Sequence, residues 1–104
     1  MRKIVLIDDD TLIHQLWRFA AADSKIEIDC FETIPEFLKK ARKISKDSEV
    51  YIDSHLRGDV RGEEEAWRIK EAGFENIYIT TGYDEDDIDV PDFIVKVVGK
   101  RPQF

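Results

Sequence analysis

Three aspartates in a row, Asp8-Asp9-Asp10, follow the apolar run Ile4-Val5-Leu6-Ile7, and a fourth, Asp53, follows Val50-Tyr51-Ile52. Thr80-Thr81-Gly82 follows Ile77-Tyr78-Ile79, and Lys96 interrupts the apolar stretch from Phe93 to Val98. If these segments meet, their chemistry is specific. Two carboxylates ~4 Å apart repel by about 4 kcal/mol at an effective dielectric of 20, so Asp8, Asp9 and Asp53 together need a proton or a cation. An all-oxygen donor set with open positions suits Mg2+. A carboxylate can also act as a nucleophile and carry an aspartyl phosphate. The ammonium of Lys96 can neutralise one phosphoryl oxygen, and the Thr81 hydroxyl can donate to another. Metal, nucleophile and charge stabilisers are what phosphoryl transfer to a carboxylate requires.

The elements between these residues are readable. Ile4-Val5-Leu6-Ile7 has the β-branched, wholly apolar character of a buried strand. Residues 11–22 carry Leu12, Leu16, Phe19 and Ala20 at helical spacing, which predicts the packed face of a first helix. Ile26, Ile28 and Cys30 alternate with Glu27 and Asp29, the pattern of a half-exposed edge strand. Thr33-Ile34-Pro35-Glu36 is a capping box with proline in the first turn, and Ile34, Phe37, Leu38 and Ala41 mark the face of the helix it starts. Strands follow at Val50-Tyr51-Ile52, Ile77-Tyr78-Ile79 and Phe93 to Val98. A polar loop with Gly58 and Gly62 leads to Glu63-Glu64-Glu65, acids suited to the positive end of a helix that stops near Gly73. Alternation of this kind predicts an α/β fold, a mostly parallel sheet with helices on both faces. Ligands of such sheets bind outside the carboxyl ends of the strands, where the acids of strands one and three, Thr81 and Lys96 are expected to converge.

Composition narrows the partners. The chain has 104 residues, 16 basic against 23 acidic, for a net charge of −7, and reads as one domain over 1–104. That charge disfavours nucleic acid and anionic membrane surfaces and favours a cation. No apolar run approaches the ~20 residues of a membrane helix, and the first residues do not read as a signal peptide. The single cysteine, Cys30, fits a reducing, cytoplasmic setting.

The segments Val5-Leu6-Ile7-Asp8-Asp9-Asp10, Tyr51-Ile52-Asp53-Ser54-His55-Leu56 with Gly62, Ile79-Thr80-Thr81-Gly82-Tyr83 and Phe93-Ile94-Val95-Lys96 together resemble the receiver domain of two-component response regulators, from about residue 3 to residue 98. The resemblance implies a flavodoxin-like doubly wound sheet of five parallel strands in the order 2-1-3-4-5. It implies a phosphorelay signalling domain, not an enzyme in the ordinary sense, with Asp53 as the phosphoacceptor for a histidine kinase or phosphotransfer protein. Asp8, Asp9 and Asp53, with the backbone carbonyl of His55, would hold Mg2+. Thr81 and Lys96 would stabilise the phosphoryl group, Phe93 would be the switch aromatic, and His55 and Tyr83 would tune the phosphoryl lifetime by hindering water.

The sequence also departs from that pattern. Val97 follows Lys96 where the family has proline. Only an acidic stretch, Asp84 to Asp89, stands where a fourth helix is expected, and no last helix is expected after Val98. The strand-five side of the sheet should then lack cover, which points to a homodimer or a partner helix there. A downstream protein target is expected in place of DNA. Two rivals compete with this reading: a haloacid-dehalogenase-like phosphohydrolase with Asp8 as nucleophile, Asp10 two residues on and Asp86-Asp87 as its later acids, and a degenerate receiver that only binds a partner. His14 is expected to face water, and Trp17 and Trp67 to pack or lie partly at the surface.

Overall fold

In the computed structural model, residues 2–104 are described. Five parallel strands form one sheet: β1 (Lys3–Ile7), β2 (Glu27–Phe31), β3 (Glu49–Asp53), β4 (Asn76–Thr80) and β5 (Lys96–Val98). Their order is β2-β1-β3-β4-β5, as the resemblance implied. Four helices connect them: α1 (Thr11–Asp23), α2 (Ile34–Lys40), α3 (Gly62–Glu65) and α4 (Trp67–Glu71). Only a 3-10 turn, Glu85–Asp87, stands between β4 and β5. Thr33 caps α2 by accepting from the Glu36 amide, with proline in the first turn; the reciprocal Glu36 half of the box does not form among the described residues. The single helix expected from Glu63 to Gly73 is instead two short ones, hinged at Ala66.

The two faces of the sheet are covered differently. Val5, Ile7, Val50, Ile52, Ile77 and Ile79 pack with Ile34 and Phe37 of α2, Ala66 just before α4 and Ile69 within it. On the other face Ile4, Leu6, Tyr51 and Val98 meet Trp17 of α1. The expected packed face of α1 is corrected. His14, Trp17 and Ala21 turn inward, while Leu12 and Phe19 are 69% and 83% exposed and Leu16 is exposed beside them. The inward face is held by specific partners: the Trp17 indole packs edge-on against Tyr51 and Phe104 and donates to the Lys100 carbonyl, and His14, expected in water, is buried with a hydrogen-bond partner.

Strand five is shorter than expected, with Phe93 to Val95 outside it. The apolar face anticipated as bare beside it is partly covered. Phe104 folds back onto Trp17, ring centroids 5.6 Å apart, Tyr51 and Tyr78 stack at 4.5 Å, and Val98 is buried. Arg2 ties this cover down with a bidentate pair to Glu49 and a bond to the Gln103 carbonyl. Aromatic side chains thus cover part of this side, while Val95 just before β5 stays 53% exposed.

Candidate functional site

The register of the sheet assembles the site. Ile7 pairs with Ile52, Asp53 with Thr80, and Thr80 with Val98. The residues just past these pairs therefore lie along one carboxyl rim. Asp8, Asp9 and Asp53 each offer a carboxylate oxygen, and these oxygens all lie within 4.8 Å of one another. Asp8 is wholly buried and Asp53 is 2% exposed. Asp9, Asp10, Asp53, Ser54, His55, Gly82, Tyr83 and Lys100 line an open groove of about 490 Å3 beside them. Asp8 does not line it.

The lysine of the site is Lys100. Its Nζ lies 2.8 Å from Asp53 Oδ2 and 3.0 Å from Asp8 Oδ2. Lys96 is a correction: it opens β5 opposite Tyr78, exposed, with no ion pair among the described residues. At about 3.3 Å per strand residue, Lys96 starts some 7 Å below the row of Val98, whereas Lys100 begins beyond it. Phe93 moves with this correction. It is half-buried against the cluster under α2 and α4, outside the groove, and the position three before Lys100 is Val97.

The remaining contacts hold the rim in shape. Asp8 Oδ1 accepts from the Asp10 amide, and Asp10 Oδ1 caps α1 at the Leu12 amide. Asp53 Oδ1 accepts from the His55 amide. Thr81 is buried, its amide donates to the Val98 carbonyl, and its hydroxyl accepts from the Tyr83 amide. The Thr80 hydroxyl is buried without a partner. His55 and Tyr83, both exposed, flank the groove. Gly62 is required here: a Cβ on it would lie 2.1 Å from the Asp53 carbonyl oxygen, so only glycine lets α3 start against the end of β3.

The charges are balanced closely. Burial pushes the Asp53 carboxyl above its ordinary range and the neighbouring Asp8 adds to this, while the hydrogen bond from Lys100 opposes both. Burial alone would lower the Lys100 ammonium, but its bonds to Asp53 and Asp8 outweigh that and hold it above its usual value. The donor set is all oxygen and clustered, which fits a hard divalent cation such as Mg2+. The hydrolase rival gains no support: Asp8 is sealed from the groove, Asp10 caps a helix, and Asp86 and Asp87 sit in the 3-10 turn.

Sequence reasoning missed Lys100, Ser54 and the burial of His14, while Trp17 packs as one of its two expected settings. The signal for Lys100 was present, since it stands two residues past the apolar pair Val97-Val98, close to where Asp8 stands past its own strand.

No protein-family model and no curated protein matches the chain. Among solved structures, the response regulator protein TrrA from Thermotoga maritima, crystallised in complex with Mg2+ and BeF, is similar over 100% of this chain and 90% of its own, with a TM-score of 0.79 and 27% identity. Full-length FixJ from B. japonicum is similar in fold over 95% of this chain and 50% of its own, with a TM-score of 0.74 and 22% identity. The structural neighbours of this chain are thus response-regulator receiver domains, and it shares their flavodoxin-like parallel sheet.

Proposed function

We propose that this chain receives a phosphoryl group on Asp53 from a phosphohistidine of a kinase or phosphotransfer protein, with Mg2+, and signals through a protein partner. One observation carries the reading: Asp53 lines an open groove while the half-buried Lys100 bridges it to Asp8. In the transfer, an Asp53 carboxylate oxygen bonds to phosphorus as the donor's P–N bond breaks, and the imidazole leaves. Lys100 meets the charge on the phosphoryl oxygens, and the Thr81 hydroxyl, one residue past β4, is the neutral donor. Asp8, Asp9 and Asp53, with the His55 carbonyl, would hold Mg2+, which supplies charge neutralisation and orientation. Hydrolysis of the acyl phosphate restores the carboxylate, and His55 and Tyr83 at the mouth of the groove would restrict the water that attacks it.

The phosphoryl group makes the site more negative by about one charge or a little less. Such a change biases the loops that carry Thr81 and Lys100. The outward row Leu12, Leu16 and Phe19, starting two residues past the acids, is an apolar face suited to a donor protein's helices. Among the described residues no helix is long and apolar enough to cross a membrane.

Titration with Mg2+ and beryllofluoride, followed by amide NMR, tests this reading. Shifts centred on residues 8–10, 53–56, 81–83 and 99–101 are expected. An unresponsive spectrum, or changes confined to other segments, would overturn it.

A further inference from the structure

Helix α1 touches the site from behind. His14 and Trp17 are three positions apart, so they share one helical face, and that face is buried. His14 Nε2 hydrogen-bonds with the carbonyl oxygen of Asp8. The Trp17 indole N–H donates to the carbonyl oxygen of Lys100 at 2.9 Å. Asp8 and Lys100 are the two residues whose side chains meet at 3.0 Å beside Asp53.

The contact to Lys100 has a particular consequence. The last paired residue of β5 is Val98, opposite Thr80, so Lys100 stands beyond the ladder. A lysine stem is flexible, and its reach depends on where its backbone is fixed. Trp17 is well placed to fix it. The indole is fully buried and gripped edge-on by Tyr51 at 5.1 Å and Phe104 at 5.6 Å.

We propose that Trp17 is a positioning residue: its indole N–H anchors the Lys100 backbone so that the ammonium stays between Asp53 and Asp8. Its consequence for transfer rests on the reading of Asp53 as the phosphoacceptor. The anchoring itself can be measured with no phosphoryl donor present.

Trp17→Phe keeps the aromatic bulk and removes the donor. NMR of the Lys100 ammonium, assigned with Lys100→Met, should show proton exchange roughly two- to tenfold faster in the folded variant, the effect of losing one hydrogen bond. Unchanged exchange overturns the proposal. Should Trp17→Phe fail to fold, β-(3-benzothienyl)alanine at position 17 replaces only the N–H with sulfur, and the same two outcomes apply. With acetyl phosphate and Mg2+, Trp17→Phe should slow phosphoryl gain by a similar factor in the wild-type background and by nothing further in Lys100→Met. Equal slowing in both backgrounds means Trp17 acts only through stability, and overturns it. If the wild-type protein gains no phosphoryl group, the acceptor reading fails, while ammonium exchange still decides the role of Trp17.

Discussion

The Lys100 ammonium lies 2.8 Å from Asp53 Oδ2, four residues past the lysine that the apolar stretch of strand five draws attention to. The two lysines can be separated by experiment. Lys96→Ala removes an exposed side chain without an ion pair and should leave phosphoryl gain from acetyl phosphate unchanged within twofold. Lys100→Ala removes the charge proposed to meet the phosphoryl oxygens and should slow it by about 100-fold, the scale of losing one preorganised electrostatic donor. Mass spectrometry of the intact protein over time reads both. The reverse ranking would return the role to Lys96.

The same ammonium would compete with a divalent cation for the carboxylates of Asp53 and Asp8. Asp9→Asn withdraws a charged oxygen donor and should weaken Mg2+ binding at least tenfold in calorimetry. Lys100→Met removes a positive charge beside the cation. A unit charge at ~4 Å is worth about 1 kcal/mol even in water, so this variant should bind Mg2+ about fivefold more tightly or better. Weaker binding by Lys100→Met would mean that the lysine organises the metal site instead of opposing it.

Asp53 should cost stability at neutral pH. Its folded pKa lies above the unfolded value because of burial. The stability tied to this group is therefore fully present below the unfolded pKa, where it is protonated in both states, and is lost as pH rises through the folded pKa. Asp53→Asn mimics the protonated form. It should be more stable than wild type at pH 7, by on the order of 1 kcal/mol or roughly 4–8 °C in Tm, with the gap closing as pH falls through the folded pKa of Asp53. Urea unfolding at pH 7 and in acid measures the gap, and a less stable Asp53→Asn at pH 7 contradicts the charge balance described.

Gly62 and Gly82 offer a matched pair. A Cβ on Gly62 meets the Asp53 carbonyl oxygen at 2.1 Å, whereas one on Gly82 meets nothing within 4 Å. Gly62→Ala should therefore destabilise by about 1–3 kcal/mol and displace the acceptor. Gly82→Ala should stay within about 0.5 kcal/mol of wild type. Similar urea midpoints for the two would refute the close approach of α3 to β3.

The sheet and its acidic rim were legible because strand ends are local events. Asp8 and Asp53 each follow a continuous apolar run, and parallel strands bring their carboxyl ends together. The lysine was misplaced because the register of β5 is set by its pairing with β4, which the sequence does not display. Phe93 to Val98 reads as one strand, yet only Lys96–Val98 pairs, so the strand ends where Lys100 follows and not at the lysine inside it. Helix α1 shows a second limit. Its outward side carries Leu12, Leu16 and Phe19, and its inward side carries His14, Trp17 and Ala21. Counting apolar residues favours the outward side. Aromatic contacts of the indole and two hydrogen bonds to carbonyls favour the inward one, and those of Trp17 depend on partners distant in sequence.

The most direct test is intact mass after incubation with acetyl phosphate and Mg2+. A gain of one phosphoryl group in the wild-type chain, absent in Asp53→Asn and absent without the metal, is the predicted result. No gain in the wild type, or an equal gain in Asp53→Asn, would contradict it.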